Sequence, residues 1–348
     1  MSERAAGLAE KYGLLWSGGS DFHGTNKPGI QLGTGYGHMH VDEDLLLKMK
    51  HSLYGTDEST KIFFSDFDGT LVDDTRTLTT ATRKSLDEFC GSGGRFVLSS
   101  GRALEDVKHL AKALDLHYPG MLLSGYNGAQ LYDCDRNLTY FSKTLPAEIA
   151  AGVIHTAREC SIYCHTYYQG SVVTLRHTRE TDFYLKAVHL PVIVTDDISG
   201  TLNGSRPGKC IAIELDDASR LLPFRKKLEH LYPGRLHVFM SNDHYMEIVD
   251  RCADKASSLL WICRRFGIPV RNSIAAGDAE NDIPMIAAAG TGIAMSNGMK
   301  VLEAAAARCP SVFAVELEAM KAAADIITLQ DNNHDGLAGA LRQAAGLA

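Results

Sequence analysis

From Lys61 onward, short runs of β-branched and aromatic residues alternate with amphipathic helical stretches, and this rhythm admits few architectures. Strands separated by helices pair in parallel, and the helices then cover both faces of the sheet. KIFFSDFDG reads as a buried strand running into a loop, and residues 79–91 as a helix opened by capping threonines and closed before Gly93 and Gly94. RFVLSS and ALEDVKHLAKAL supply a second strand and helix, and GMLLSGYNGAQLYD two short strands around Asn127 and Gly128. Over residues 145–250 the rhythm breaks. PAEIAAGVIHTAREC reads as a helix, IYCHTYYQGSVVTLRH as a hairpin, and CIAIEL, LHVFMS and YMEIVD as further strands with a helix at 217–231. The first rhythm then returns in ADKASSLLWICRRFG, SIAAGD, NDIPMIAAAG, GIAM and ADIIT, with a last helix after Asp335. The expected fold class is therefore α/β: a Rossmann-like three-layer core with a parallel sheet, plus an inserted α+β domain. Its boundaries are read as 1–58 for a separate N-terminal segment ending in a polar linker, 59–144 with 251–348 for the core, and 145–250 for the insertion.

A chain of 348 residues is long enough for more than one folding unit. The net charge of −7 offers no overall basic field, which argues against a nucleic-acid partner, so any anionic substrate must be met locally. No apolar run approaches a membrane span, and the N-terminal stretch carries Glu3 and Glu10 without an apolar signal region. The eight cysteines include no CxxC pair, and Cys160 and Cys164 fall where a helix end leads into a strand. Free thiols in a reducing cytoplasm are the expectation.

The densest chemistry is Asp66-Phe67-Asp68-Gly69-Thr70, at the C-terminal end of a buried strand, where open α/β sheets bind ligands. A turn at Gly69 can bring both carboxylates to one pocket. One could then attack phosphorus while the other protonates the leaving oxygen and later activates water. Taken alone, the same residues also suit an ordinary strand-end turn with solvated acids. Gly277-Asp278-Ala279-Glu280-Asn281-Asp282 stands between another buried strand and a helix. Asp278 and Asp282 are hard oxygen ligands suited to Mg²⁺, or simply helix caps. Ser99-Ser100-Gly101-Arg102 and Lys255 offer a hydroxyl and an ammonium that can hold phosphoryl oxygens, although each is equally an ordinary turn or a solvated lysine.

In that order the acid pair, hydroxyl, lysine and second acid site resemble the four motifs of the haloacid dehalogenase superfamily of phosphatases, over about residues 61–346. The resemblance implies that Asp66 is the nucleophile, Asp68 the general acid and base, Ser100 the second-motif hydroxyl, Lys255 the third-motif lysine and Asp278 a metal ligand. It further implies that Asp282 supports the Mg²⁺ through water, with the Asp68 carbonyl completing the protein's share. SGR, GYNGAQLYD, YMEIVDRCADKASSL, GIAMSNG and DGLAGAL resemble the Cof-type subfamily, whose α/β cap lies between the second and third motifs. Gly69, Thr70, Gly101, Arg102, Asn127 and Asn281, with Asn242 and His244 in the cap, are the implied phosphate or substrate contacts. Lys209, which also opens a strand, is a rival for the third-motif lysine. RCPSVFAVELEAMKA, at 308–322, is longer than this pattern requires before its last strand.

The implied function is a Mg²⁺-dependent phosphatase of sugar phosphates, nucleotides or phosphorylated cofactors. A phosphomutase with the same nucleophile and a non-catalytic phosphometabolite-binding protein are the alternatives. In the first sixty residues, YGLLWSGGSDFHGTNKPGIQLGTG resembles the C-terminal end of PHP-domain phosphoesterases, with Asp21 and His23 matching metal ligands there. The expectation is a remnant segment that pairs with a protein partner; His38 and His40 could extend a metal site or belong to an exposed strand.

Overall fold

A computed structural model describes residues 3–15, 24–26, 29–30, 43–186, 188, 190–241, 243–308 and 310–347. The chain divides into two compact units, one of residues 1–60 with 263–269 and the other of residues 61–262 with 270–348.

In the larger unit, the strands before the insertion are β1 (Ile62–Ser65), β2 (Arg95–Ser99), β3 (Leu122–Gly125), β4 (Gln130–Asp133) and β5 (Leu138–Ser142). The insertion contributes β6 (Tyr163–Tyr168), β7 (Ser171–Thr174), β8 (Val192–Val194), β9 (Cys210–Ile213), β10 (Leu236–Met240) and β11 (Tyr245–Asp250). After it come β12 (Ser273–Gly277), β13 (Thr291–Ala294) and β14 (Ile326–Ile327).

The first and last groups form one eight-stranded sheet in the order β14-β13-β12-β1-β2-β3-β4-β5. β1 lies at its centre, parallel to both β12 and β2, with Ile62 opposite Ser273 and Arg95. All four β1 residues, three apolar and then Ser65, are buried, as a strand in a doubly covered sheet requires. Because β1, β2 and β12 run the same way, the residues that follow them emerge at one edge of the sheet. Helix Thr80–Gly91 starts where Thr79 accepts a hydrogen bond from Thr82 N, and Phe89 of this helix packs with Phe63 and Phe96 in the core.

The insertion folds into a six-stranded sheet, β10-β11-β9-β6-β7-β8, antiparallel except where β7 meets β8. Gln169 and Gly170 join β6 to β7 with φ of 46° and 75°, the left-handed pair that a two-residue hairpin needs. Strand alternation divides this sheet's residues: Cys164, Cys210, Ala212, Met246 and Ile248 pack into a core with helices Ala147–Glu159 and Leu221–Leu231. Residues between them turn to the other face. The seven described cysteines are all free.

Several elements depart from the sequence expectation. Asn127-Gly128 is not a two-residue turn: Gly125 pairs with Gln130, so four residues form the loop, and Tyr126 joins Asn127 at positive φ. β5 was not anticipated, because it is a mostly exposed strand without alternation. RCPSVFAVELEAMKA lies largely within helix Pro310–Ala323, which buries Phe313 and Met320 against Ile286 and Leu302. In NDIPMIAAAG only Ile283–Ala288 is α-helical, after a 3₁₀ turn at Glu280–Asp282.

In the smaller unit, helix Glu43–Tyr54 and the residues after it complete a neighbouring helix end. Lys50 donates to Arg264 O at 2.8 Å, His51 to Gly267 O at 2.9 Å and Thr56 to Phe266 O at 2.7 Å. These donors satisfy carbonyls that a helix C-terminus leaves unpaired. No helix among the described residues is long and apolar enough to cross a membrane.

Candidate active site

Asp66 follows β1 directly, and its backbone N–H still bonds to Ala276 O of β12 at 3.0 Å, which anchors it at the sheet edge. Lys255, the first residue of helix Lys255–Phe266, is fully buried and donates to Asp66 Oδ1 and Asp282 Oδ1, each at 2.5 Å. The other Asp282 oxygen accepts from the backbone N–H groups of Asp278 and Ala279, both at 3.0 Å. Burial pushes Asp66 up to about 7; Lys255 works against that rise, while Asp282 adds to it. For Lys255, burial opposes the charge, but Asp282 and Asp66 outweigh it and raise the pKa.

Asp278, after β12, is held by Thr70, whose Oγ1 donates to Asp278 Oδ1 at 2.8 Å. Gly69 has a φ of 75°, and a Cβ on it would come within 2.5 Å of Asp278 Oδ2. Glycine therefore serves both the turn and the close approach. Burial raises the Asp278 pKa well above the ordinary carboxylate range, with further upward pressure from Asp66 and Asp282. Asp66, Asp278 and Asp282 each offer an oxygen within 4.8 Å of the others. Three crowded carboxylates, those of Asp66 and Asp282 buried and that of Asp278 partly so, fit a hard divalent cation, which would relieve their repulsion.

The Asp68 side chain stands apart from that trio. Arg102 grips it through Nε at 2.8 Å and Nη2 at 2.9 Å, and Arg76 lies 3.8 Å away. Ser100 emerges from β2 beside them, its backbone N–H bonded to Ser124 O at 2.9 Å and its Oγ accepting from Arg102 N at 3.2 Å. Asn281 Nδ2 donates to Asn127 Oδ1 at 2.8 Å, and Asn127 Nδ2 donates to Glu247 Oε2 of β11 at 2.9 Å. Lys209 donates to Glu247 Oε1 at 2.9 Å and to Gly101 O at 3.0 Å.

A single cavity of about 820 Å³ is lined by Asp66, Asp68, Gly69, Ser100, Gly101, Arg102, Asp278 and Asn281 among the sequence-derived candidates. Thr70, Lys255 and Asp282 hold that wall from beneath. Asn127, expected to touch substrate, is instead spent on Glu247 and Asn281, and its side chain is not part of the cavity wall. His244 bonds to Glu214 O at 3.2 Å and stacks edge-on against Phe183, away from the cavity. Asn242, Asp21, His23, His38 and His40 lie outside the described residues.

Sequence reasoning missed Glu247, Glu280 and Asn297. Glu280 accepts from Met240 N and lies 3.7 Å from Arg225, and burial pushes it up to about 7. Asn297 donates to Gly69 O at 2.7 Å and so braces the turn. The one available signal was position: Glu280 sits inside the acid motif, and Asn297 inside GIAMSNG.

A haloacid dehalogenase-like hydrolase family model matches residues 63–311. The 5-amino-6-(5-phospho-D-ribitylamino)uracil phosphatase YcsE of Bacillus subtilis (strain 168) is 27% identical over 298 residues, covering 84% of this chain and 98% of that protein. An HMP-PP phosphatase of Yersinia pseudotuberculosis (strain YPIII) is 24% identical over 68% of this chain and 84% of that protein. Among solved structures, a haloacid dehalogenase-like hydrolase from Bacteroides thetaiotaomicron superposes with a TM-score of 0.63 at 28% identity, covering 82% of this chain and 99% of that one. With the matched segment spanning the acid motifs, the serine turn and Lys255, the chain belongs to the haloacid dehalogenase-like hydrolases.

Proposed function

We propose that this hydrolase is a Mg²⁺-dependent phosphatase that cleaves small phosphate monoesters through an aspartyl phosphate on Asp66. The observation that carries the reading is Asp66 itself: it lines the cavity, with Oδ1 held 2.5 Å from Lys255 and Oδ2 left to attack. Held by Asp66 and Asp278, with Asp282 acting through water and the Asp68 carbonyl assisting, Mg²⁺ would supply the positive charge that lets an anionic nucleophile meet an anionic substrate.

In the first displacement, Asp66 Oδ2 bonds to phosphorus as the bond to the leaving oxygen breaks, and Asp68 gives that oxygen its proton. In the second, Asp68 takes a proton from water, the water oxygen bonds to phosphorus, and the Asp66–phosphorus linkage breaks. Lys255 has one N–H beyond those on Asp66 and Asp282, and the Ser100 hydroxyl can donate as well, so both can hold phosphoryl oxygens. Positioning and charge neutralisation carry most of such a reaction.

The two curated relatives are named for small phosphorylated compounds, which supports the same substrate scale here. Sugar phosphates, nucleotides and phosphorylated cofactors all fall within it. Asp66→Asn should abolish Mg²⁺-dependent hydrolysis of p-nitrophenyl phosphate; full activity in that variant would remove the reading.

A further inference from the structure

The cavity does not stop at the acids: its far wall is the face of the inserted sheet that alternation turns away from the helices. Tyr167 of β6, Ile211 of β9 and Tyr245 of β11 lie on that wall, with Tyr184, Val188 and Leu190 beside them. The Tyr167 hydroxyl bonds to the Tyr184 hydroxyl and to His165 Nε2, which ties these polar atoms into the wall. The Tyr184 and Tyr245 rings meet edge to face with centroids 5.8 Å apart. This part of the lining presents rings and branched aliphatic groups, while Tyr168, Gln169, Ser205 and Arg206 add polar groups elsewhere in the same cavity.

Set into it, in a cavity that Arg102 and Arg206 also line, is a fixed cation. Lys209, its side chain 10% exposed, uses two of its three ammonium N–H groups on Glu247 Oε1 and Gly101 O. The third is left for an acceptor in the cavity that Lys209 lines. Lys209 and Asn127 each donate to one Glu247 oxygen, which fixes that carboxylate in place beside the cavity.

This combination discriminates between leaving groups. A simple sugar carries a hydroxyl on nearly every carbon, and each one buried against rings without a partner loses its hydrogen bonds to water. A flat heterocycle places its faces on the rings and needs few polar partners. Resting on the phosphatase reading above, we infer that the substrate is a phosphate ester carrying a planar nitrogen heterocycle with a ring carbonyl, its faces against Tyr184, Tyr245 and Ile211 and its carbonyl oxygen accepting from Lys209. Asp66 then works on a phosphate at the other end of the same molecule.

The test uses the full chain and two matched pairs of unphosphorylated probes, uridine against ribose and riboflavin against ribitol, with binding followed by calorimetry. At least one ring-bearing probe should bind at least tenfold more tightly than its polyol partner, and parity in both pairs would overturn the inference. Lys209→Met should weaken the preferred ring probe at least tenfold. Because that change strands the Glu247 charge, Tyr245→Leu provides an independent variant, also expected to weaken the probe, with circular dichroism confirming the fold. Unaltered ring binding in both folded variants would contradict the assignment. Hydrolysis is read separately with uridine 5′-monophosphate and ribose 5-phosphate. Ring binding with no phosphate hydrolysed would support the pocket and sink the phosphatase reading, whereas preferred hydrolysis of the sugar phosphate would sink the pocket assignment alone.

Discussion

Lys255 Nζ stands 2.5 Å from Asp66 Oδ1 and 2.5 Å from Asp282 Oδ1, so one buried ammonium ties the end of β1 to the loop after β12. Removing it leaves two carboxylates without their shared counter-charge. Lys255→Met should lower hydrolysis by about two to three orders of magnitude, the scale of losing one preorganised donor. It should also lower unfolding stability by about 3–5 kcal/mol, as breaking a buried ion pair does. Parallel urea unfolding and p-nitrophenyl phosphate assays check both. Loss of activity with unchanged stability would show that the ammonium is not holding the two acids together.

In the proposed mechanism Asp68 exchanges a proton with the leaving oxygen, and Arg102 holds both its oxygens. Substrate must therefore draw Arg102 or Asp68 out of this fork before the proton moves. Asp68→Asn should slow alkyl phosphates by about 10²–10⁴-fold, the usual contribution of a positioned acid. p-Nitrophenyl phosphate, whose leaving group needs little protonation, should suffer less in the first step. Equal losses on both substrates, measured as burst-phase rates, would remove Asp68 from that role.

The repulsion among Asp66, Asp278 and Asp282 makes a prediction about stability without turnover. Mg²⁺ at a hundredfold excess over its dissociation constant should stabilise the wild-type chain by about 2.7 kcal/mol. Asp278→Asn should raise metal-free stability, by removing one crowded charge, and weaken the Mg²⁺ response. Denaturant melts with chelator or Mg²⁺ read both effects. A variant that responds to Mg²⁺ like the wild type would exclude Asp278 as a ligand.

His165 on β6 predicts how the insertion answers to acid. It is fully buried among Tyr163, Tyr167 and Tyr184, with Nδ1 unpartnered, and burial, reinforced by the Lys209 charge, lowers its pKa to about 3. Above the unfolded value near 6.5 both states are neutral and His165 contributes no pH dependence. As pH falls from there towards 3, the unfolded chain binds a proton that the folded chain refuses, so stability declines by roughly 1.4 kcal/mol per pH unit. His165→Phe should flatten that part of the urea midpoint profile; an unchanged slope would assign it to other groups.

Much of this molecule was legible in the chain because its chemistry is local. The acid pair, the serine turn and the second acid motif each follow a buried strand directly, so reading the strands also placed Asp66, Ser100 and Asp278. Lys255 could be preferred over Lys209 because its helix leads straight back into β12, and its contacts with Asp66 and Asp282 fit that preference. The links Asn127–Glu247 and Lys209–Gly101 were not legible, since their partners lie 120 and 108 residues apart and only tertiary packing brings them together. Helix Pro310–Ala323 was not placed from the sequence, where RCPSVFAVELEAMKA stood out only as longer than the pattern requires before its last strand; in the fold it buries Phe313 and Met320 in the core.

The most direct test concerns the bond that Asp66 is claimed to form. An acyl phosphate, unlike a free carboxylate, is reduced by borohydride, so quenching the enzyme during turnover with borohydride and sequencing its peptides by mass spectrometry shows which carboxylate carried phosphate. The expected result is homoserine in place of Asp66 and nowhere else, dependent on substrate and Mg²⁺. An unaltered Asp66 in enzyme trapped under conditions that accumulate the intermediate, or reduction at another carboxylate, would contradict it.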